Sequence, residues 1–251
     1  MKNEAYIYGK NSIAEALSEE GRLAKIFVAF GAQGGASATI ISKARKLKIP
    51  ISVYDNRKFA ELEKRELPPG AKSQGLIALK NLIEPVSLDE LIRIAFKKEK
   101  NPILVALDEI ADPHNLGAIA RSAEGCGVAG LVLPERNSAP VTPAAIKVSA
   151  GALEHLPVAH IGNLAQALSK LKEAGFWTVG TDGSARDFYT APIYDKPIVL
   201  IIGSEGKGIR PGIAKQCDHL VKIPMRGKVT SLNASVSAGV VLFEILRQKG
   251  L

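Results

Sequence analysis

The chain has 251 residues, 46% apolar and 23% charged, enough for one large or two ordinary domains with a proper core. A formal charge of +8 and a pI of about 9.4 favour a polyanionic partner. No stretch reaches the roughly 18 uninterrupted apolar residues of a membrane span, and Met1 to Lys10 lacks the apolar core of a signal peptide, so a cytoplasmic protein is expected.

In chain order, Tyr6 to Gly9 reads as a strand turning into a helix over Ser12 to Ser18, with Ile13, Ala16 and Leu17 on one face. Ile26 to Phe30 is a second strand, Gly31 to Gly35 a loop, and Thr39 to Leu47 a basic helix whose cations are Lys43, Arg45 and Lys46, with Lys48 just beyond. Ile51 to Tyr54, a helix over Phe59 to Arg65 and a strand over Gly75 to Leu79 complete a small α/β unit. The first 100 residues hold 18 Lys and Arg against 12 Asp and Glu, which is most of the net charge. A solvated face is the commoner reason for such charge, but Lys64 to Lys72 around Pro68, Pro69 and Gly70 also suits RNA phosphate. Aromatics are only 5%, too few for a base-stacking sheet. Asn81 to Pro85 reads as a connector and Leu88 to Lys97 as a helix. The expected division is therefore 1–80, a linker over 81–100, and a second domain over 101–251.

That second domain opens with Ile103 to Asp108, ILVALD, continuously apolar as a buried parallel strand should be. Pro113 and Asn115 are expected in a loop before a helix over Leu116 to Glu124, with Gly125 and Gly127 as its stop. Arg121 follows Asn115 by six residues, less than two turns, which suggests that both face one cavity at a strand end. Gly130 to Pro134 is a strand, Thr142 to Ala152 a helix, Val158 to Ile161 a strand, Leu164 to Ala174 an amphipathic helix, Phe176 to Thr181 a strand and Ala185 to Asp195 a loop. Ile198 to Ile202 is fully apolar and runs into Gly203-Ser204-Glu205-Gly206-Lys207-Gly208. The spacing is wrong for a Walker A loop, and no Ser or Thr follows Lys207. An acid at Glu205, in a glycine-rich turn after a buried strand, is a candidate for a task. The last stretch, VKIPMRGKVTSLNASVSAGVVLFEIL from Val221, is a strand end, a basic loop with Arg226 and Lys228, and a helix for which Thr230 or Ser231 is the expected N-cap. Ala234 and Ala238, and Ser235 and Gly239, form small-residue pairs one turn apart that permit close packing. Cys126 and Cys217 stand in dissimilar contexts and the four histidines lack metal-ligand spacing, so neither a disulfide framework nor a metal is expected.

Three stretches, PHNLGAIARSAE, GSEGKGI and IPMRGKVTSLNASVSAGVVLFE, resemble in order and spacing the SpoU-type 2′-O-ribose RNA methyltransferases of the SPOUT superfamily. The match covers about the last 150 residues. Gly9-Lys10-Asn11-Ser12-Ile13 and Lys72-Ser73-Gln74-Gly75 resemble that family's ribosomal-protein-like substrate-binding domain. Within the family this points to RlmB-like enzymes, which modify guanosine in 23S (large-subunit) ribosomal RNA. The resemblance implies an α/β domain with a parallel sheet and a deep C-terminal trefoil knot, a homodimer, and S-adenosyl-L-methionine as donor. It places Gly203, Ile223, Met225, Ser231 and Leu232 at the donor and Asn115, Arg121, Glu205, Ser231 and Asn233 at the chemistry. The family role of Arg121 is general base. A guanidinium with a pKa above about 12 is a poor base, so an orienting contact to substrate phosphate is the physical expectation. A tRNA 2′-O-methyltransferase and a non-catalytic RNA-binding assembly factor remain as alternatives.

Overall fold

The structure is a computed structural model that describes residues 5–18, 22–47, 49–80 and 82–250. Lys48 and Asn81, noted above, lie outside that range. The chain divides into two compact units, Met1–Glu84 with Pro140–Pro143, and Pro85–Ala139 with Ala144–Leu251.

In the first unit the order is β1 (Tyr6–Tyr8), α1 (Lys10–Ala16), β2 (Leu23–Ala29), α2 (Ala36–Lys46), β3 (Ile51–Tyr54), α3 (Asn56–Glu66) and β4 (Leu76–Lys80). The sheet order is β1-β4-β2-β3, antiparallel except for the β2–β3 pair. Alternation along β2 supplies two cores. Ile26 and Val28 pack with Ile13, Ile40 and Ile41 of α1 and α2, while Phe27 packs with Phe59 and Leu62 of α3.

The second unit contains α4 (Leu88–Lys98), β5 (Ile103–Asp108), α5 (Pro113–Gly125), β6 (Gly130–Pro134), α6 (Pro143–Val148), α7 (Ala152–His155), β7 (Val158–Ile161), α8 (Leu164–Glu173), β8 (Trp177–Thr181), β9 (Asp187–Phe188), β10 (Ile198–Gly203), α9 (Pro211–Ala214), β11 (His219–Lys222) and α10 (Ala234–Gln248). The first residue of α6, Pro143, is grouped with the other unit. Seven strands pair in the order β7-β6-β5-β10-β8-β11-β9, every pair parallel. The apolar runs of β5 and β10 are buried at every position because both faces are covered. Leu104, Ala106, Val199 and Ile201 face α4, α8 and α9, whereas α10 packs on β10 and on α5. The C-terminal ends of β5, β8, β10 and β11 consequently lie side by side, where open α/β sheets bind ligands.

Local chemistry corrects four expectations. Pro113 and Asn115 are not in a loop: Pro113 opens α5 and Asn115 lies in its first turn, because Asp112 accepts the His114 N–H at 3.0 Å as N-cap and proline is tolerated at the first helical position. The helix expected over Thr142 to Ala152 is two short helices, broken where Ala150 (φ 52°) and Gly151 (φ 87°) adopt left-handed backbone. The expected loop at Ala185 to Asp195 contains β9, aligned with Val221 and Lys222 of β11. The N-cap of α10 is Asn233, not Thr230 or Ser231: its Oδ1 accepts from Ser235 N at 2.9 Å and from Val236 N at 3.4 Å.

Candidate active site

Three connections meet at these strand ends. After β10 the chain closes a hairpin: Ser204 N donates to Gly208 O at 3.1 Å and Gly208 N to Ser204 O at 2.9 Å, with Gly206 and Gly208 at positive φ. Only glycine fits at 203, since a Cβ there would stand 2.1 Å from Gly208 C and 2.2 Å from Ile209 N. The hairpin's far leg is anchored in the core. Asp108, fully buried at the end of β5, accepts from Arg210 N at 2.8 Å and Nε at 2.7 Å, and its Oδ1 lies 2.6 Å from Nη2. The side-chain hydrogen bond that Arg210 donates to Asp108 raises the Arg210 pKa further.

Between this hairpin, the end of β8 and the loop after β11 lies a cavity of about 330 Å³. Gly203, Ile223, Met225, Ser231 and Leu232 all line it, and so does Glu205. The sequence reading missed the wall at the end of β8, Thr181 to Ser184, where Asp182 Oδ1 accepts from Ser184 N and Oγ at 2.7 Å each. An Asp-Gly-Ser turn directly after an apolar strand was the available signal. The walls combine apolar side chains (Ile202, Ile223, Leu232) with hydroxyls and turn backbone, a lining that suits a ligand with a flat apolar part and several polar groups.

Beside the cavity, Asn233 joins the three motifs. Its Nδ2 donates to Asn115 Oδ1 at 2.9 Å and to Glu205 Oε1, while its Oδ1 is committed to the helix cap and to Ser235 Oγ at 2.5 Å. Both hydrogen-bonding ends of Asn233 are therefore used in holding the site together. Among the described residues, the Asn115 amide N–H groups and the second Glu205 oxygen have no hydrogen-bond partner.

Arg121 is not brought to this cluster, which corrects the expectation that it and Asn115 face one cavity. Six residues are 600° of helix, so the two side chains point about 120° apart on α5. Asn115 turns to the Asn233 network, whereas Arg121 is exposed and, among the described residues, has no hydrogen bond or ion pair. Next to it Ser122 lies against Gly239 of α10, where an added Cβ would be 3.5 Å from Ser122 Oγ. Small residues thus let α5 and α10 approach closely. Among the described residues no cluster of His, Cys, Asp and Glu is arranged to hold a metal, and no helix is long and apolar enough to cross a membrane.

Parallel strands ending at a mixed polar and apolar cavity define an α/β protein built to hold a small organic ligand beside a polar triad. A family model described as the SpoU rRNA Methylase family matches residues 102–243, and one described as RNA 2′-O ribose methyltransferase substrate binding matches residues 6–78. The chain belongs to the SpoU rRNA methylase family. YacO of Bacillus subtilis, named as a TrmH family tRNA/rRNA methyltransferase, is 40% identical over 244 residues, 97% of this chain and 96% of its own. The SpoU methyltransferase AviRb from Streptomyces viridochromogenes, in complex with the cofactor AdoMet, shares the fold with a TM-score of 0.60 at 23% identity, over 97% of this chain and 90% of that one. The TrmH/SpoU tRNA modifying enzyme of A. aeolicus is 30% identical with a TM-score of 0.55, over 64% of this chain and 82% of its own.

Proposed function

We propose that the protein methylates the ribose 2′-oxygen of a guanosine in 23S ribosomal RNA, with S-adenosylmethionine as donor, and that it works as a homodimer. The observation that carries this reading is the meeting of Asn115, Glu205 and Asn233 beside a cavity lined by Gly203, Ile223, Met225, Ser231 and Leu232. The cavity's size and its mixture of apolar walls, hydroxyls and turn backbone fit an adenosine with an amino-acid tail. When bound there, S-adenosylmethionine supplies an electrophilic methyl group.

The chain's own residues then orient the nucleophile. Asn115 donates to a ribose or phosphate oxygen, and the free Glu205 oxygen accepts the 2′-hydroxyl proton as a hydrogen bond, so that the attacking oxygen is held in line. Ser231 contributes a hydroxyl at the cavity wall. Arg121 orients the substrate phosphate at the site of a second copy. Val236 (49% exposed) and Phe243 (57%), seven residues apart on α10, form the apolar face that supports such pairing. Phe243→Asp is expected to sediment as a monomer and lose activity; an active monomer contradicts the shared site.

The return of α10 from β11 to pack on α5 and β10 supports a C-terminal trefoil knot. Residues 1–80 are proposed as the RNA-binding domain and 101–251 as the catalytic part of the methyltransferase domain; the stretch expected as a linker, 81–100, is largely α4, whose Leu91 and Ala95 are buried in the core of the second unit. The substrate-binding family match at residues 6–78 favours ribosomal RNA over tRNA, because the resemblance associates that domain with the RlmB-like members. Nuclease digestion of the modified RNA tests the base: 2′-O-methylguanosine is expected, and any other methylated nucleoside refutes the guanosine assignment.

A further inference from the structure

The loop between β8 and β10 holds one exposed aromatic on a backbone that is unusually well tied down. Phe188, in β9, is 49% exposed. Around it Tyr189 N donates to Lys222 O at 2.9 Å, and Ala191 N donates to Phe188 O at 2.9 Å. The hydroxyl of the buried Tyr194 donates to Tyr189 O at 2.7 Å, and Gln248 Nε2 of α10 donates to Thr190 O at 3.2 Å and Ala191 O at 3.1 Å. A segment pinned in this way does not expose its phenyl ring through looseness.

The ring also stands at the edge of the candidate active site. Lys222, its β-ladder partner, lines the cavity and holds its Nζ 5.2 Å from the Phe188 ring centroid. Apart from Asp187, which precedes Phe188 in β9, the charges nearby in sequence are cationic. Arg186 lies two residues before Phe188, and the stretch from His219 to Phe243 carries Lys222, Arg226 and Lys228 without one Asp or Glu. Phe188 itself does not line the cavity and sits on the last strand of the sheet, outside the space the donor would occupy.

We propose that Phe188 and Lys222 form a stacking platform for one unpaired base of the RNA substrate, flanking the nucleotide that is modified, with the neighbouring cations taking the backbone phosphates. A π-face beside cations is the pairing that single-stranded nucleic acid meets in its binding proteins. This is one platform at a sheet edge, not a stacking sheet, and it agrees with the low aromatic content of the chain. It rests on the functional reading above for its substrate, and it adds where the strand runs.

The test is fluorescence anisotropy of the full chain with a labelled oligoadenylate of about 12 nucleotides, a length in the range one binding surface covers. Steady-state methyl transfer to protein-free large-subunit ribosomal RNA runs beside it. Phe188→Ala and Phe188→Leu are expected to weaken oligonucleotide binding and raise the KM for ribosomal RNA by roughly tenfold, the order of one lost base stack. kcat and the affinity for S-adenosylmethionine stay unchanged, and Phe188→Trp binds at least as well as the wild type. Binding equal in all variants overturns the platform. So does full recovery in Phe188→Leu, which would mark an apolar docking surface for a protein, or a shift in S-adenosylmethionine affinity, which would assign the ring to the donor. If the wild type transfers no methyl to ribosomal RNA, the functional reading fails while the oligonucleotide titration still decides the platform.

Discussion

Asp108→Asn probes how the hairpin that carries Glu205 is held. Asp108 is wholly buried and receives three contacts from Arg210, through its backbone N–H, Nε and Nη2 at 2.8, 2.7 and 2.6 Å. Asparagine keeps the shape but turns one acceptor into a donor that faces an N–H, and it removes the charge opposing the guanidinium. Breaking a buried ion pair costs about 3–5 kcal/mol. The Arg210 side chain is 45% exposed, so water takes up part of the loss and the lower end, about 3 kcal/mol, applies. In a unit of this size that lowers Tm by roughly 6–12 °C. Arg210 follows the Ser204–Gly208 closure by two residues, so the variant also loosens a cavity wall and weakens S-adenosylmethionine binding. Differential scanning calorimetry and isothermal titration of the donor measure both effects. A Tm within about 2 °C of wild type and an unchanged donor Kd would refute the anchoring role.

Gly203→Ala places a methyl group against backbone atoms that no side-chain rotation can relieve, so a loss of about 1–3 kcal/mol with a collapse of donor affinity is expected by the same two methods. Asn233→Ala removes a helix cap and costs about 1 kcal/mol, whereas Asn233→Ser retains a capping oxygen and the stability but lacks the amide that joins Asn115 to Glu205. Both variants should lose methyl transfer at least tenfold, and an active Asn233→Ser would show that the amide bridge is dispensable. Hydrogen bonds from Arg247 and Gln248, with the Arg247 charge, hold Glu244 down to about 2 from an ordinary 4.5, against the opposing effect of burial. A depressed carboxylate stabilises the fold above its unfolded pKa and loses that contribution as pH falls towards the folded value. Arg247→Met should therefore be less stable than the wild type near neutral pH and lose less stability between pH 4.5 and about 2, and an identical pH dependence of stability would contradict the coupling.

The parts of this fold that were legible in the sequence are those written locally. ILVALD and IVLII announce strands buried on both faces, and the helix expected over Leu88 to Lys97 is α4, Leu88–Lys98. Asn115 and Glu205 stood out singly, as polar residues beside apolar elements, and only the family resemblance grouped them with Asn233. Their meeting is set by the strand order, which brings together residues 90 and 118 positions apart and has no local signature. The Asp108–Arg210 pair, 102 residues apart, was invisible for the same reason. The cap of α10 was misjudged because Thr230, Ser231 and Asn233 all have capping side chains, and only the backbone trajectory selects Asn233. Arg121 was misplaced by treating a separation of under two turns as a shared face, when the angular offset decides the matter. The Ala150–Gly151 break followed from a left-handed alanine that propensity would not choose.

The most direct measurement is transfer of labelled methyl from S-adenosylmethionine to separate pools of large-subunit ribosomal RNA and tRNA, by the wild type and by Glu205→Gln, Asn115→Ala and Arg121→Ala. Label in ribosomal RNA alone, reduced at least tenfold in each variant, is the expected result. Label in tRNA alone would contradict the substrate assignment. Undiminished label in Glu205→Gln and Asn115→Ala would contradict the claim that the triad beside the cavity is where the methyl group is transferred.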